Sequence, residues 1–357
     1  MIYYTDICIL GTGPTARICS FFLKNKKHII VGNGQIMGSL SKVKIQDREL
    51  NLIPIFPVYK STLYNELWRG CNDKHNFLEY KDYGDVDLEY DKIKHNLLRV
   101  KPDSYVAINL KKKCINTKKN ILLSLKQFGD IIFEKRLFRL DDKVKRHYED
   151  HLPKARIGFV NSLSPYYEKL RDIHYGDFLY EDIKEIDTEK KRVITTKFEI
   201  KYQRLISTLS LKEMLNKVKE APKIQLISKP ASFFVFKTVT SLPPHKVIYD
   251  LGLDSPIYRI FTIDFNIIIV QLSYFQTLEN DILKQIFNRL KQLFWQDLCI
   301  EYDYYYSIKD AYPLDSSSDI ELNQFVSKLD ANDIVLIGRF AEWKYLDLHE
   351  LDYSKIR

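Results

Sequence analysis

The sequence predicts an α/β protein in which a Rossmann-type domain, built from both ends of the chain, carries a second domain of helices and sheet. Three observations lead to this prediction. A strand, a glycine turn, a helix and a second strand follow one another near the N-terminus. An apolar run followed by glycine recurs near the C-terminus, at residues 334–338. The long segments between them have first helical and then strand-like patterns.

The N-terminal elements are predicted from short apolar runs and from glycine. Residues 2–10 end in an apolar run that leads into a glycine turn at residues 11–14. Residues 16–23 carry apolar side chains at helical spacing, and residues 28–31 form a second short apolar run that ends at Gly32. This order and these lengths are typical of a βαβ unit.

The later elements are predicted from the period of their apolar residues. Residues 63–151 are rich in Lys, Leu and Phe and poor in glycine, which favours a mostly helical segment. The elements predicted after it are strands within 176–207 and 231–273, an amphipathic helix over 278–298, a buried strand over 334–337, a turn at Gly338 and a last helix.

Composition and charge restrict the class of partner. Hydrophobic residues make up 45% of the 357 residues, so a sizeable core can form. The formal net charge is +8, with a mild concentration of basic residues over 111–146 that acids interrupt. Such a stretch is typical of a solvated helical face, and a nucleic-acid or anionic membrane surface is the less favoured alternative. We expect a small-molecule substrate, for which an anionic group suits the charge, and no nucleic-acid partner.

Cysteine usage and hydropathy indicate the compartment. Five cysteines without a C-x-x-C pair predict neither a disulfide framework nor a zinc site, and the scattered histidines predict no metal. The N-terminus lacks the pattern of a signal peptide, and no apolar run approaches 18 residues. We expect a cytoplasmic protein without a transmembrane segment, and a homo-oligomer remains open.

The glycine turn predicts a nucleotide site. The motif Gly11-x-Gly13-x-x-Ala16 follows a predicted strand and opens a predicted helix. Gly11 permits a tight turn, Gly13 lets a pyrophosphate approach the backbone, and Ala16 lets the helix pack closely on the strand. The anion would then lie at the helix N-terminus, where free N–H groups and the helix dipole attract it.

One residue type that such sites usually contain is absent. A carboxylate usually ends the second strand and binds the adenosine ribose hydroxyls. Here Gly32 and Asn33 occupy that place, and Asn33 can accept one hydroxyl hydrogen bond without supplying a charge. Three alternatives follow: the ribose is held more weakly, other contacts compensate, or the site has lost its cofactor.

The C-terminal segment is more specific. Residues 338–349, GRFAEWKYLDLH, resemble the closing motif of the superfamily of flavin amine oxidases, protoporphyrinogen oxidases and UDP-galactopyranose mutases. The resemblance implies FAD, with the turn after the strand against the pyrophosphate and the last helix directed at the flavin. The residues point the same way, because Arg339 is a permanent cation just after a strand end. The alternative for Arg339 is an ion pair with Glu342 on a surface turn.

Three weaker matches occur in the same order as in the superfamily. They are MGSL at residues 37–40, YQRLISTL at residues 202–209 and AYP at residues 311–313. Together with the glycine turn, the resemblance implies a set of cofactor-binding residues. These are Gly11, Thr12, Gly13, Pro14, Thr15, Ala16, Asn33, Ser39, Leu40, Thr208, Gly338, Arg339, Glu342, Trp343, Tyr345, Asp347, Leu348 and His349.

The substrate residues are predicted from one strand. PIYRI at residues 256–260 resembles a segment of the superfamily's substrate domain. Arg259 lies in an apolar stretch, where an unpaired charge would be costly, so Tyr258 and Arg259 are candidates for binding a substrate carboxylate or phosphate. The alternative is a structural ion pair between Arg259 and an acid such as Asp250 or Asp264.

These assignments define domains and function. The FAD-binding domain would combine residues 1–60, 175–220 and 325–357, and the substrate domain residues 61–174 and 221–324. The resemblance implies an FAD-dependent oxidoreductase of the protoporphyrinogen oxidase or amine oxidase type, acting on a small or nucleotide-linked organic substrate. The flavin would carry the chemistry.

Two other functions remain open. One is a mutase-like sugar isomerase that uses reduced FAD, although residues 51–57 show no counterpart of the mutase's histidine-containing loop. The other is a non-catalytic binding protein that retains the fold, which the missing ribose carboxylate favours.

Overall fold

The structure is a computed structural model. It describes residues 1–33, 42–45, 48–51, 63, 66–67, 87–91, 95–100, 108–109, 114–115, 123–124, 164–173, 175–239, 246–250, 256–264, 266–272, 280–294, 300–313, 320–344, 346, 348 and 350–356. The strands are β1 (Ile2–Leu10), β2 (His28–Val31), β3 (Lys42–Ile45), β4 (Arg48–Asn51), β5 (Asp87–Asp91), β6 (His95–Val100), β7 (Ile108–Asn109), β8 (Cys114–Ile115), β9 (Leu123–Ser124), β10 (Asp177–Leu179), β11 (Ile183–Asp187), β12 (Arg192–Thr195), β13 (Glu199–Ser207), β14 (Ser228–Thr238), β15 (Lys246–Asp250), β16 (Ile257–Asp264), β17 (Ile267–Leu272), β18 (Ile300–Pro313) and β19 (Ile334–Leu336). The helices are α1 (Pro14–Phe22), α2 (Ser164–Arg171), α3 (Leu211–Lys217), α4 (Asn280–Phe294), α5 (Ile320–Ala331) and a 3-10 helix (Tyr353–Ile356).

The first sheet is parallel at its centre. Neighbouring strands run parallel in the order β10-β2-β1-β13-β19, and the hairpin of β11 and β12 continues antiparallel from the start of β13. The chain passes from β1 through α1 to β2 on one side, whereas β13 lies on the other side of β1. The order of strands therefore reverses at β1, and such a reversal is where open α/β sheets bind ligands.

The carboxyl ends of the parallel strands meet at one edge of this sheet. Leu10 pairs with Val31 on one side and with Ser207 on the other. Ser207 in turn pairs with Leu336, and Val31 pairs with Leu179. The residues that follow these strand ends therefore lie side by side along the edge.

Helices cover both faces of the first sheet. On one face, α1 and the 3-10 helix pack on the strands, and Ile9, Ile18 and Ile356 belong to one buried cluster. On the other face, α3 and α5 contribute Met214 and Phe325 to a second cluster. This three-layer arrangement holds the strand ends, and the loops after them, in fixed positions.

The second sheet is antiparallel. Its strands follow the order β18-β14-β17-β16-β15-β6-β5. Helix α4 packs on one of its faces, where Ile286 and Leu290 meet Phe234 and Val270 in an apolar cluster. The predictions of an amphipathic helix near residues 278–298 and of strands within 231–273 are thus confirmed, as is the N-terminal βαβ unit.

The prediction of a mostly helical segment over residues 63–151 is wrong for much of its described part. There, β5 to β9 are strands, and β6 pairs with β15 so that Val100 lies opposite Val247. The strand conformation depends on a partner roughly 150 residues away, and local propensity does not show such a partner.

The predicted last helix is also wrong in its described residues. Residues 339–343 form a turn in which the Lys344 N–H donates to the Arg339 carbonyl at 3.0 Å. Trp343 has a φ of 51°, and this left-handed residue, together with the bond from Lys344 to Arg339, closes the turn with the geometry of a Schellman motif. The chain then continues to the 3-10 helix.

None of the helices in the described part of the chain has the length and the apolar character needed to cross a bilayer.

Candidate functional site

The turn after β1 requires glycine for two reasons. Gly11 has a φ of 105°, which disfavours any residue with a Cβ. Its N–H donates to the Val31 carbonyl at 2.8 Å, which ties the turn to the end of β2. A Cβ on Gly11 would also collide with Thr208 Oγ1. The turn therefore depends on a residue that lies almost 200 positions later in the chain.

Thr208 fastens the end of β13 to the end of β1. Its backbone N–H and its hydroxyl donate to the Leu10 carbonyl at 2.9 and 2.8 Å. Thr208 was predicted to bind the cofactor. The structure places it beside the glycine turn, at the point where the order of strands reverses.

The N-terminus of α1 opens at the same edge. Gly13 is the N-cap residue, with φ −71° and ψ −178°, and Pro14 begins the helix. Glycine has no side chain that could accept a hydrogen bond from the first-turn N–H groups, so Gly13 leaves them to another acceptor. Together with the helix dipole, these N–H groups form a site that suits an anion such as a pyrophosphate.

The closing segment reaches this helix terminus. Gly338 has a φ of 133°, and a Cβ on it would lie 3.6 Å from Thr15 Cγ2. The Glu342 N–H donates to the Gly338 carbonyl at 2.8 Å, and the Glu342 carboxylate lies 3.2 Å from Lys355 Nζ. The ends of the chain therefore meet at the glycine turn, as the sequence predicts.

Arg339 helps to hold the closing segment in place. Its Nε donates to the Leu346 carbonyl at 2.7 Å. The acid that the sequence offers as its alternative partner, Glu342, pairs with Lys355 instead. The Nε–H group of Arg339 thus fixes the turn.

The end of β2 differs from the usual ribose site. Gly32 is buried, and a Cβ on it would lie 3.2 Å from Thr12 Cγ2 and 3.3 Å from Gly11 Cα. Thr12 is 5% exposed and donates from Oγ1 to the Asn33 carbonyl at 3.2 Å. The Thr12 side chain therefore occupies the space beside the residue that would carry a ribose-binding carboxylate.

A charged cluster joins the two sheets. Lys212, on α3, lies with its Nζ 2.6 Å from Asp310 Oδ1 on β18 and 3.1 Å from Ser228 Oγ on β14. The same ammonium lies 5.2 Å from the ring centroid of Trp343, a residue that is 2% exposed. Burial raises the pKa of Asp310, but hydrogen bonds from Lys212 and Ser228 outweigh it and hold that pKa below its usual value.

Tyr258 and Arg259 lie on the second sheet, on β16. Arg259 Nε donates to Gln271 Oε1 at 2.5 Å, and Gln271 Nε2 donates to the Tyr312 hydroxyl at 2.6 Å. The guanidinium also lies 4.7 Å from the ring centroid of Phe261. Gln271 is 1% exposed, so a buried amide fixes the orientation of the Arg259 side chain.

The structure thus brings together most of the predicted cofactor residues that it describes. Gly11 to Ala16, Asn33, Thr208 and Gly338 line or adjoin the edge of the first sheet, and Arg339, Glu342 and Trp343 belong to the turn that follows. Leu348 packs at the margin of the cluster under α1. The predicted residues that lie outside the described part of the chain are Ser39, Leu40, Tyr345, Asp347 and His349.

Sequence reasoning missed a buried polar group beneath α1. Arg17 Nη1 donates to the carbonyls of Arg171 and Ile173 at 2.7 and 3.1 Å. Ser20 Oγ lies 2.8 Å from Nε2 of His28, which is 1% exposed. The sequence signal for this group was the cation of Arg17 and the hydroxyl of Ser20, three positions apart on a helix face that is otherwise apolar. The Arg17 contacts attach α2, and the chain that follows it, to α1, and the Ser20 contact joins α1 to β2.

Comparisons with known proteins support the fold. No family model matches the sequence, and no curated protein matches it. Cyclohexylamine oxidase from Brevibacterium oxydans has a similar structure, with a TM-score of 0.60 at 10% identity over 99% of this chain and 96% of that one. Putrescine oxidase bound to putrescine gives 0.54 at 9% identity over 88% of each chain. An oxidoreductase from Methanosarcina mazei gives 0.56 at 11% identity over 86% of this chain and 89% of that one. At these identities the likeness shows the fold alone, which this chain shares with the three proteins.

Proposed function

We propose that the chain binds FAD non-covalently and acts as an FAD-dependent oxidoreductase of the amine oxidase or protoporphyrinogen oxidase type. One observation carries the proposal. The glycine turn, Thr208 and Gly338 meet at the carboxyl edge of a parallel sheet, where the order of strands reverses and α1 begins. The amine oxidase fold of the similar structures supports the choice of FAD over other dinucleotides.

The residues at this edge fit the phosphate part of FAD. Gly13 leaves the N-terminus of α1 open to an anion, and Gly338 lets the closing segment pass close to Thr15. Arg339 brings a permanent cation to the same region, held by its bond to the Leu346 carbonyl. When bound, the flavin would supply the hydride-accepting chemistry, and the protein would supply position and charge.

Arg259 is the proposed contact for an anionic group on a small or nucleotide-linked organic substrate. The Arg259 Nε–H group donates to the Gln271 side-chain oxygen, and this bond defines the direction of the guanidinium. The rings of Tyr258 and Phe261 lie 5.3 and 4.7 Å from the guanidinium, and such apolar neighbours would strengthen a charge-assisted hydrogen bond to a carboxylate or phosphate.

A second candidate is a non-catalytic binding protein that retains the fold. The crowding between Thr12 and Gly32, where a carboxylate usually binds ribose, favours it. This candidate predicts a protein that is colourless as purified and takes up no added FAD.

Two measurements on the purified protein test the proposal: its absorbance spectrum, and then the flavin content of the supernatant after acid precipitation. We expect flavin bands, and we expect free FAD in the supernatant because the bond is non-covalent. Gly13→Val is the matched variant, since its branched Cβ would fill the space of the pyrophosphate while the backbone keeps an ordinary φ. Folded Gly13→Val protein should contain no flavin. Flavin at the wild-type level in that variant would show that the turn is only structural.

A further inference from the structure

The end of β2 leads from the proposed FAD site to a statement about which part of the cofactor the chain recognises. Glycine at position 32 is not required by the backbone, because the described glycines with positive φ are Gly11, Gly176 and Gly338. Another residue could adopt the conformation of Gly32. Space is what limits this position.

Thr12 and the backbone of Gly11 limit that space. The Thr12 methyl group would lie 3.2 Å from a Cβ on Gly32 and the Gly11 Cα 3.3 Å from it, and both distances are shorter than an ordinary van der Waals contact. The methyl group cannot easily turn away, because Thr12 is 5% exposed and its hydroxyl is bonded to the Asn33 carbonyl. A larger side chain at position 32 would therefore have to displace Thr12, and with it the contact between the glycine turn and the end of β2.

From this geometry we infer that Thr12 and Gly32 form a coupled pair that keeps a carboxylate out of the ribose subsite. The chain then recognises FAD at its pyrophosphate and discriminates little at the adenosine ribose. The inference rests on the proposed function, because it concerns the same cofactor site. It adds that Thr12 and Gly32 determine how strongly the chain recognises the adenosine ribose.

Titration of flavin-free protein with two ligands tests the inference. One ligand is FAD and the other is an FAD analogue in which the adenosine is 2′-deoxyadenosine. For the wild-type chain we expect the two dissociation constants to differ by less than about tenfold, since the strand end offers at most a neutral acceptor, the Asn33 amide, and no carboxylate. A wild-type preference of about tenfold or more for FAD would overturn the inference, because another residue would then bind the hydroxyl.

Three variants separate the roles of the two residues. Thr12→Gly with Gly32→Glu should bind FAD about tenfold tighter than the wild type and should discriminate against the analogue, because loss of the Thr12 methyl group relieves the nearest contact and lets the side chain shift away from the Gly11 backbone, so that the new carboxylate can accept the ribose hydroxyl. Gly32→Glu alone should bind no tighter, and Thr12→Gly alone is the control for the lost methyl group. Equal gains from Gly32→Glu alone and from the double variant would show that the residues are not coupled, and absence of any gain in the double variant would also refute the inference.

The results distinguish this inference from the proposed function. A wild-type chain that binds no FAD contradicts the proposed function, whereas a wild-type chain that binds FAD and rejects the analogue contradicts only the inference. Binding by the double variant alone would contradict the proposed function for the natural chain and would support only the coupling between Thr12 and Gly32. If no chain binds FAD, both fail. The unfolding temperature of each variant shows whether it is folded, and the wild-type comparison needs no variant.

Discussion

Replacing Gly11 by alanine tests the reason for glycine at the turn. The φ of 105° would place alanine in a sparsely populated region, at a cost of order 1–3 kcal/mol. The new Cβ would also displace the Thr208 hydroxyl from the Leu10 carbonyl, a bond worth about 0.5–1.5 kcal/mol. We therefore expect Gly11→Ala to lower the free energy of unfolding by about 1.5–4.5 kcal/mol.

Urea unfolding of flavin-free protein measures this loss without a contribution from bound cofactor. Thr208→Ala alone should cost about 0.5–1.5 kcal/mol, through the lost hydrogen bond. The double variant loses that bond only once and avoids the collision. Its cost should therefore fall short of the sum of the single costs by about 1 kcal/mol.

Gly13→Ala is the matched control, because Gly13 has an ordinary φ of −71° and lies two residues away. It should change the stability of flavin-free protein by less than about 1 kcal/mol. Equal free energies of unfolding for Gly11→Ala and Gly13→Ala would refute this explanation of glycine at position 11. Strictly additive costs of Gly11→Ala and Thr208→Ala in the double variant would also refute it.

Three further predictions address other parts of the molecule. Arg259→Lys keeps the charge but loses the planar fork, so it should weaken binding of an anionic substrate about tenfold while flavin content stays constant. Arg339→Lys should instead lower the flavin content. A lower unfolding temperature with unchanged substrate affinity would make Arg259 a structural residue. Asp310→Asn should lower the unfolding temperature slightly at pH 7, because a carboxylate with a lowered pKa stabilises the fold while it is ionised. The difference from the wild type should disappear as the pH falls below about 4 and Asp310 becomes protonated. A difference that persists at acid pH would show that the charge of Asp310 is not its cause. Arg17→Met should cost about 1–3 kcal/mol in urea unfolding, because it removes the Arg17 donor from the carbonyls of Arg171 and Ile173, and an unchanged midpoint would contradict that role.

The parts of the fold that local patterns specify could be predicted from the sequence. The strand from Ile2 to Leu10, the glycine turn and α1 follow one another without a gap, so hydrophobic periodicity and glycine placement were sufficient. The same holds for β19 and the glycine after it. The meeting of the two chain ends followed from the resemblance of residues 338–349, and the contact between Gly338 and Thr15 agrees with it.

The parts that depend on distant partners could not be predicted. β6 has no local feature that separates it from a helix, and its strand conformation comes from pairing with β15. Gly11 was assigned to the turn alone, although Thr208 also excludes a Cβ there. The crowding at Gly32 likewise depends on how Thr12 is oriented across the turn. Single-residue patterns carry no information about such pairwise contacts.

The order in which the ribosome makes the strands has a consequence for assembly. The central strands β1 and β2 are translated early, but their neighbour β13 and its partner β19 follow much later. Until residues 334–338 emerge, the edge of β13 lacks a parallel partner, and the closing turn cannot reach Thr15. Nascent chains that fold before this point would therefore contain an incomplete sheet, and its exposed edge favours aggregation. If the chain binds FAD as proposed, its complete site forms only after the C-terminal strand has been synthesised.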